Sequence, residues 1–268
     1  MPEKEAAHEV ALWIEEGVAV IELRRPKAGN ALDAVMKADL LAAVDHVAAA
    51  GPSVRSLLLT AQGSNFCTGQ DLKEHARKLA ENPTSAFSTV RTQYNPLVEA
   101  FHHLHVPIVC AIEGACVGAG LGIALCADLR VAADTAYFAT AFTKIGLAAD
   151  SGLSRSLIQS VGRSRATGLI LLGERFSAKE AHEWGLVHRI APAGSAPAAG
   201  LELAKELAAG PTIAYREAKR LLRDAATADL QTALTREAAT QEILGASDDH
   251  GNAVAAFLDR RQPVFRGR

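Results

Sequence analysis

The stretch "PIVCAIEGACVGAGLGIALCADLRVAADTAYFA", residues 107–139, decides the fold. Within it "IVCAIEG" (108–114) is a short, continuously apolar run, the pattern of a strand buried on both faces of a parallel sheet. A glycine-rich loop and a small-residue helix follow, and "DLRVAAD" (128–134) reads as the next strand. As a dinucleotide-binding fingerprint the loop fails on spacing. After Gly118 and Gly120 the third glycine belongs at 123, where Ile123 stands, although Asp134 ends the next strand where a ribose-binding acid would be sought. Small residues at a helix start instead let a ligand approach converging backbone N–H groups, the makings of an oxyanion hole.

The same unit recurs outward from this stretch. "RSLLLTA" (55–61) is another buried strand, and "GSNFCTGQDL" (63–72) again sets glycine beside a helix start. Two independent loops can therefore each supply one N–H donor to a developing enolate oxygen. Upstream, "VALWIEEGVAVIELRR" (10–25) reads as a hairpin broken at Glu15-Glu16-Gly17, and a helix capped by Asp33 runs to about Ala50. Downstream, "GLVHRIAP" (185–192) reads as a last strand. Strands alternating with helices predict an α/β core. The small-residue, proline-rich "APAGSAPAAG" (191–200) places a boundary between a core of residues 1–195 and a helical region of residues 196–268. That region has too little apolar content to fold alone, which points to packing on another subunit.

Composition excludes several functions. The chain has 268 residues, 49% of them hydrophobic, and a formal net charge of −2. It carries no basic tract that would neutralise nucleic-acid phosphates or anionic lipid. No apolar run reaches the ~18 residues of a membrane span, and the charged N-terminus lacks a secretion-signal pattern, so a cytoplasmic protein is expected. Cys67, Cys110, Cys116 and Cys126 lack metal-ligand spacing and read as reduced, mostly buried thiols, with no metal site.

One carboxylate stands apart. In "KIGLAADSGLSRSL" (144–157), Asp150 lies among small, apolar and hydroxyl residues. Followed by Ser151, Gly152 and an apolar-periodic run, it reads either as a helix N-cap or as the acid or base of a site. Burial among Leu147, Ala148 and Ala149 would raise its pKa. Other polar residues read as structural. Asp71 and Glu74 favour a helix start, the histidines of "FHHLHVP" (101–107), with His102 and His105 on one face, have no further ligand pattern, and Glu113 faces the core or a neighbouring subunit.

The segments "NFCTGQDL", "PIVCAIEGACVGAGLGIALCADLRVAADTAYFA" and "KIGLAADSGLSRSLIQSVGRSRATGLILLGERFSAKEAHEWGLVHRI" resemble, in order and spacing, the crotonase (enoyl-CoA hydratase/isomerase) superfamily. The resemblance extends from "RPKAGNAL" (25–32) to "AAFLDRRQPVF" (255–265). It implies a repeated ββα spiral core and a C-terminal helical trimerisation region, with trimers commonly paired into hexamers. It implies an acyl-CoA substrate, coenzyme A entering as part of the thioester and no permanently bound cofactor. The oxyanion donors would be the N–H groups of Gln70 and Ala119. The two glutamates of the family's hydratases would stand at Gly122 and Phe142, so both are absent. Asp150 stands where isomerase-like members, with a "GLVPDSGG"-type segment, carry an Asp. One carboxylate suffices to accept a proton and return it to another carbon. The resemblance thus implies double-bond isomerisation, with alternatives in an enoyl-CoA hydratase, an aryl-CoA dehalogenase-like nucleophilic reaction at Asp150, and a catalytically silent CoA-binding protein. Matching positions give Lys27, Ala28 and Thr68 to the CoA portion, joined by Phe257 and Arg260 from the tail of a neighbouring subunit. In that tail Val254, Phe257 and Leu258 form a helical apolar stripe beside Arg260 and Arg261.

Overall fold

The computed structural model describes residues 9–268; the charged stretch before Glu9, read above for a secretion signal, lies outside the described residues. The chain opens with β1 (Val10–Glu15) and β2 (Val18–Leu23), an antiparallel hairpin whose Glu16 and Gly17 turn at φ 50° and 80°. Positive φ at both central residues matches the twist of a two-residue hairpin. Asp33 caps α1 (Ala34–Ala49) by accepting from the Met36 N–H at 2.9 Å, and Met36, Leu40, Val44 and Val47 turn into the core.

Next come β3 (Ser56–Ala61), α2 (Leu72–Glu81), the short α3 (Pro83–Ala86), a π-helical turn over Val90–Tyr94 and α4 (Asn95–His103). The quoted stretch forms β4 (Ile108–Ile112), β5 (Ala115–Val117), α5 (Ala119–Ala124), β6 (Leu129–Ala133) and β7 (Tyr137–Ala139). Then follow α6 (Leu153–Val161), α7 (Arg163–Leu172), β8 (Phe176–Ser177), α8 (Ala178–Glu183) and β9 (Arg189–Ala191). Four helices close the chain: α9 (Ala196–Ala209), α10 (Thr212–Ala225), α11 (Leu230–Gly245) and α12 (Asp248–Leu258).

The strands form a six-stranded sheet in the order β1-β2-β3-β4-β6-β9, parallel beyond the β1–β2 hairpin, and a three-stranded sheet in the order β5-β7-β8. The repeat is visible in how strands are shared. β4 and β6 join the large sheet, while their successors β5 and β7 pair with each other in the small one. An isolated parallel β-bridge between the backbones of Cys67 and Cys116, both free thiols, lays the segment after β3 against β5, so the "NFCTGQDL" loop takes the same position in its own repeat. This is the α/β fold with C-terminal helices that the sequence led one to expect, its strands divided between two mixed sheets.

α9 is part of the core. Leu203, Ala204 and Ala208 are buried in the central cluster, and a Cβ at Gly200 would lie 2.8 Å from the Ala111 Cβ of β4. Glu113 fixes the helix by accepting from the Ala196 N–H at 2.9 Å and the Gly194 N–H at 3.2 Å, so it faces neither the core nor solvent alone. A division at 195/196 separates α9 from the sheet it covers; the part that stands off the sheet begins with α10. No residue of α10 is buried, and Leu222, Leu230 and Phe257 are exposed.

Candidate active site

Two loops bring backbone donors to one place. The Leu32 N–H donates to the Gly69 carbonyl at 2.7 Å, and the Asp71 N–H donates to the Leu32 carbonyl at 3.1 Å. The carbonyl and N–H of a trans peptide point in opposite directions. Anchoring the Gly69 carbonyl on Leu32 therefore turns the Gln70 N–H away from that contact, and among the described residues it meets no protein acceptor. Across the gap the Gly118 N–H is held by the Ala139 carbonyl at 2.9 Å, and Gly118 adopts φ 57°. Ala119 then opens α5 with its N–H unpaired, as the first residues of a helix do.

The loops are stitched together by Cys67 N–H to Ala115 carbonyl (3.0 Å) and Val117 N–H to Cys67 carbonyl (2.9 Å). They approach so closely that a Cβ on Gly69 would fall 2.9 Å from the Val117 oxygen and 3.5 Å from the Ala119 nitrogen. Glycine at 69 keeps the space between the two donors open.

For Asp150 the structure removes one of the two readings. Asp150 does not cap α6: the capping position is Gly152, at φ 71°, with no side-chain bond. The Asp150 backbone carbonyl takes the Leu153 N–H, while among the described residues its carboxylate accepts only from Ser151 Oγ, at 2.8 Å. Half-burial raises its pKa above the ordinary carboxylate value, and the Ser151 hydroxyl and the Lys37 charge pull it partly back. Of its three apolar neighbours, Leu147 and Ala149 pack on the core and Ala148 is exposed.

Ser151 explains Gly122. Ser151 is buried and sits in the left-handed region at φ 51°, uncommon for a residue with a side chain. A Cβ at Gly122 would lie 2.7 Å from the Ser151 Cβ and 2.9 Å from its carbonyl oxygen. The volume a glutamate would enter at 122 is thus filled by the residue next to Asp150. Phe142 is buried in the core cluster.

Sequence reading missed Lys37. Its side chain is buried, with Nζ 2.6 Å from Thr89 Oγ1, 3.3 Å from Gln70 Oε1 and 4.7 Å from the centre of the Tyr94 ring. Tyr94 donates its hydroxyl to the same Gln70 Oε1 at 2.6 Å. Desolvation lowers the Lys37 pKa to about 8, and the Tyr94 hydroxyl is pushed up, chiefly by burial. A signal existed: Lys37 lies in the stripe Met36, Leu40, Val44 that faces the core, where a lysine is out of place.

The remaining candidates divide. Lys27 and Ala28, in a short 3-10 turn, and Thr68 are exposed and adjacent, since the Thr68 N–H and hydroxyl both donate to the Gly29 carbonyl, at 3.1 and 3.2 Å. Phe257 and Arg260 are exposed and lie apart from them. The tail is tied by Arg55 to the Phe265 carbonyl at 3.2 Å, at the start of β3, whereas Thr68 follows its end. Asp71 caps α2, and Glu74 accepts from the Ala34 N–H at 2.8 Å. His105 lies beyond the end of α4, and among the described residues no cluster could hold a metal ion. A separate cleft of about 980 Å³ opens between α4, α6 and α10 and includes neither Asp150 nor the two donor loops. Among the described residues no helix is long and apolar enough to cross a membrane.

A family model described as Enoyl-CoA hydratase/isomerase matches residues 13–268. The chain is 36% identical over 255 residues to a 1,2-epoxyphenylacetyl-CoA isomerase of Escherichia coli K12, covering 95% of this chain and 97% of that one. It is 31% identical over 254 residues to a 2,3-dehydroadipyl-CoA hydratase of the same organism, with coverage of 95% and 97%. A crystal structure of a Mycobacterium abscessus protein assigned to enoyl-CoA hydratase/isomerase superposes with a TM-score of 0.94 at 53% identity, covering 97% of this chain and 100% of that one.

Proposed function

The chain belongs to the enoyl-CoA hydratase/isomerase family, and from that premise we propose that it moves the double bond of an enoyl-CoA rather than adding water across it. The observation that carries this reading is Ser151 in the space a glutamate would need at Gly122, beside a single desolvated carboxylate, Asp150.

In this reading the thioester oxygen lies between the N–H groups of Gln70 and Ala119. The Asp150 carboxylate takes the proton from the carbon next to the thioester. The C–H electron pair moves into the bond toward the thioester carbon, and the carbonyl oxygen carries the negative charge, held by the two donors. Collapse of the enolate shifts the double bond into conjugation, and the protonated Asp150 returns its proton to the far carbon. Hydration needs a group to activate water and a second to protonate the substrate, and Phe142 and Gly122 supply neither.

The CoA portion is assigned to Lys27, Ala28 and Thr68, completed by Phe257 and Arg260 of a neighbouring copy in a homotrimer or hexamer drawing on cytoplasmic acyl-CoA. The exposed Phe257 and Leu258 at the end of α12 support that assembly. Deleting residues 247–268 should lower both the mass in solution and the acyl-CoA affinity; a truncated protein unchanged in both would show that the tail has neither role.

The hydratase reading is favoured by the 2,3-dehydroadipyl-CoA hydratase relative. Supplying crotonyl-CoA and a 3-enoyl-CoA side by side separates the two. Conversion of the 3-enoyl thioester with slow hydration supports isomerisation, and efficient hydration that survives Asp150→Asn would sink it.

A further inference from the structure

The polar cluster behind the first donor loop has no part in the proton transfer just described, yet it holds the Gln70 side chain and its cation acts on the Asp150 carboxylate. Lys37 Nζ and the Tyr94 hydroxyl converge on one atom, Gln70 Oε1, at 3.3 and 2.6 Å. Gln70 is the residue whose backbone N–H faces the thioester oxygen in the proposed reaction. With two donors on its Oε1, the amide can only be oriented with its NH₂ turned away from them. The side chain is held from two directions, while Leu32 holds the backbone on either side.

The support beneath Lys37 is specific. Thr89 Oγ1 faces Nζ at 2.6 Å and donates onward to Gln93 Oε1 at 2.8 Å. Gln93 and Tyr94 belong to the π-helical turn, and Thr89 immediately precedes it. A π-turn inserts one extra residue into a helix, and such insertions are frequent at functional sites. The charged groups that act on Lys37 are Glu74 and Lys78 from α2, Asp33 from the start of α1, and Asp150 from the segment before α6. Seen from Asp150, Lys37 is the cation whose charge acts on the carboxylate.

Resting on the assignment of Gln70 and Asp150 above, we propose that Lys37 is a positioning residue of the active site: its buried ammonium anchors the donor loop through the Gln70 side chain and supplies the positive charge set against Asp150. One ammonium thereby couples the two walls. It holds the donor in place for the oxygen that becomes negative, and it favours the ionised carboxylate that must accept the proton.

The coupling predicts a pH response. A lysine held near 8 is charged below that pH and neutral above it. Turnover should therefore have an alkaline limb near pH 8, as the cation opposite Asp150 and on the Gln70 amide is lost. The acid limb reports protonation of Asp150, and removing the Lys37 charge moves that limb to higher pH.

The test is the pH profile of kcat and KM on a 3-enoyl-CoA for the wild type, Lys37→Arg, Lys37→Met and Tyr94→Phe. The wild type should show the limb near pH 8. Lys37→Arg, which stays charged, should lose it. Lys37→Met should drop kcat by about 10- to 100-fold with KM changed less than about threefold, because the donor acts in the transition state. Tyr94→Phe should lose a few-fold in kcat and keep the alkaline limb. A wild-type profile flat beyond pH 9, a limb that persists in Lys37→Arg, or a Lys37→Met enzyme of wild-type kcat would each overturn the proposal. If Lys37→Met fails to fold, the wild-type and Lys37→Arg profiles decide alone. Asp150→Asn, run alongside, separates the two levels. Full activity there removes the isomerase reading itself, whereas an inactive Asp150→Asn with indifferent Lys37 variants removes only the role of Lys37.

Discussion

At Gly69–Gln70 and Gly118–Ala119 the site presents backbone, whereas at Gly122, Phe142 and Asp150 it presents side chains or the lack of them, and the two sides follow different rules. On the backbone side, Gly69 and Gly118 are fixed by close approach and positive φ and the N–H comes from the main chain, so Ala119 can stand beside its glycine, while the Gln70 side chain bears on how its loop is held. On the other side, the proposed chemistry depends on which carboxylate reaches the substrate: Asp150 is present, and Ser151 fills the space a glutamate at 122 would need. In the proposed reaction, oxyanion stabilisation is kept while the proton-handling half differs from that of a two-glutamate hydratase, and that half selects the reaction.

The comparison is broken most severely by removing a donor. Proline at 119 lacks the N–H but suits the first position of a helix. Ala119→Pro should cut kcat by about 10²- to 10³-fold with an unchanged circular dichroism spectrum, while Ala119→Gly should stay within about threefold of wild type because the N–H remains. A fully active Ala119→Pro would remove the backbone wall from the account.

On the side-chain wall, Gly122→Glu restores the hydratase residue where there is no room. Overpacking of this kind costs about 1–3 kcal/mol, measurable by urea unfolding, and crotonyl-CoA hydration should not appear. Adding Ser151→Gly relieves the Cβ contact but leaves the carbonyl oxygen at 2.9 Å, so stability should recover only in part. A stable Gly122→Glu enzyme that hydrates crotonyl-CoA would show that the wall was never closed to water chemistry.

The smallest effect sharpens the electrostatics. Ser151 donates to Asp150 and holds its raised pKa down. Ser151→Ala should raise it further, so the carboxylate stays protonated to a higher pH. The acid limb of kcat/KM should then move to higher pH. A limb that moved down would contradict the assignment of that limb to Asp150.

The large sheet was legible because β3 and β4 carry continuous apolar runs (residues 57–59 and Ile108–Ile112) and β2 and β6 are apolar but for Glu22 and Arg130, a pattern that suits a buried sheet. The small sheet was not, since β5, β7 and β8 are two or three residues long and owe their existence to pairing with one another. Proline and small residues before α9 read as a domain boundary, but small residues at 200 and 204 are what let this helix lie close on the sheet. Both donor loops were readable from glycine spacing. The meaning of Ser151 was not, because it lies in a left-handed φ and in contact with a residue remote in sequence. Asp150 could be read as a helix cap or as an acid or base, because Asp-Ser-Gly before an apolar run commonly caps a helix; here Gly152 takes the capping position, and the carboxylate accepts from Ser151 Oγ instead.

The central claim is that one carboxylate, Asp150, carries the proton. It is tested most directly by the turnover of a 3-enoyl-CoA by wild type and Asp150→Asn, followed through the absorbance of the conjugated 2-enoyl thioester. Asparagine keeps the shape and the Ser151 contact but cannot accept the proton, so kcat should fall by about 10²- to 10⁴-fold with acyl-CoA affinity preserved. An Asp150→Asn enzyme within about threefold of wild-type turnover would contradict the claim outright.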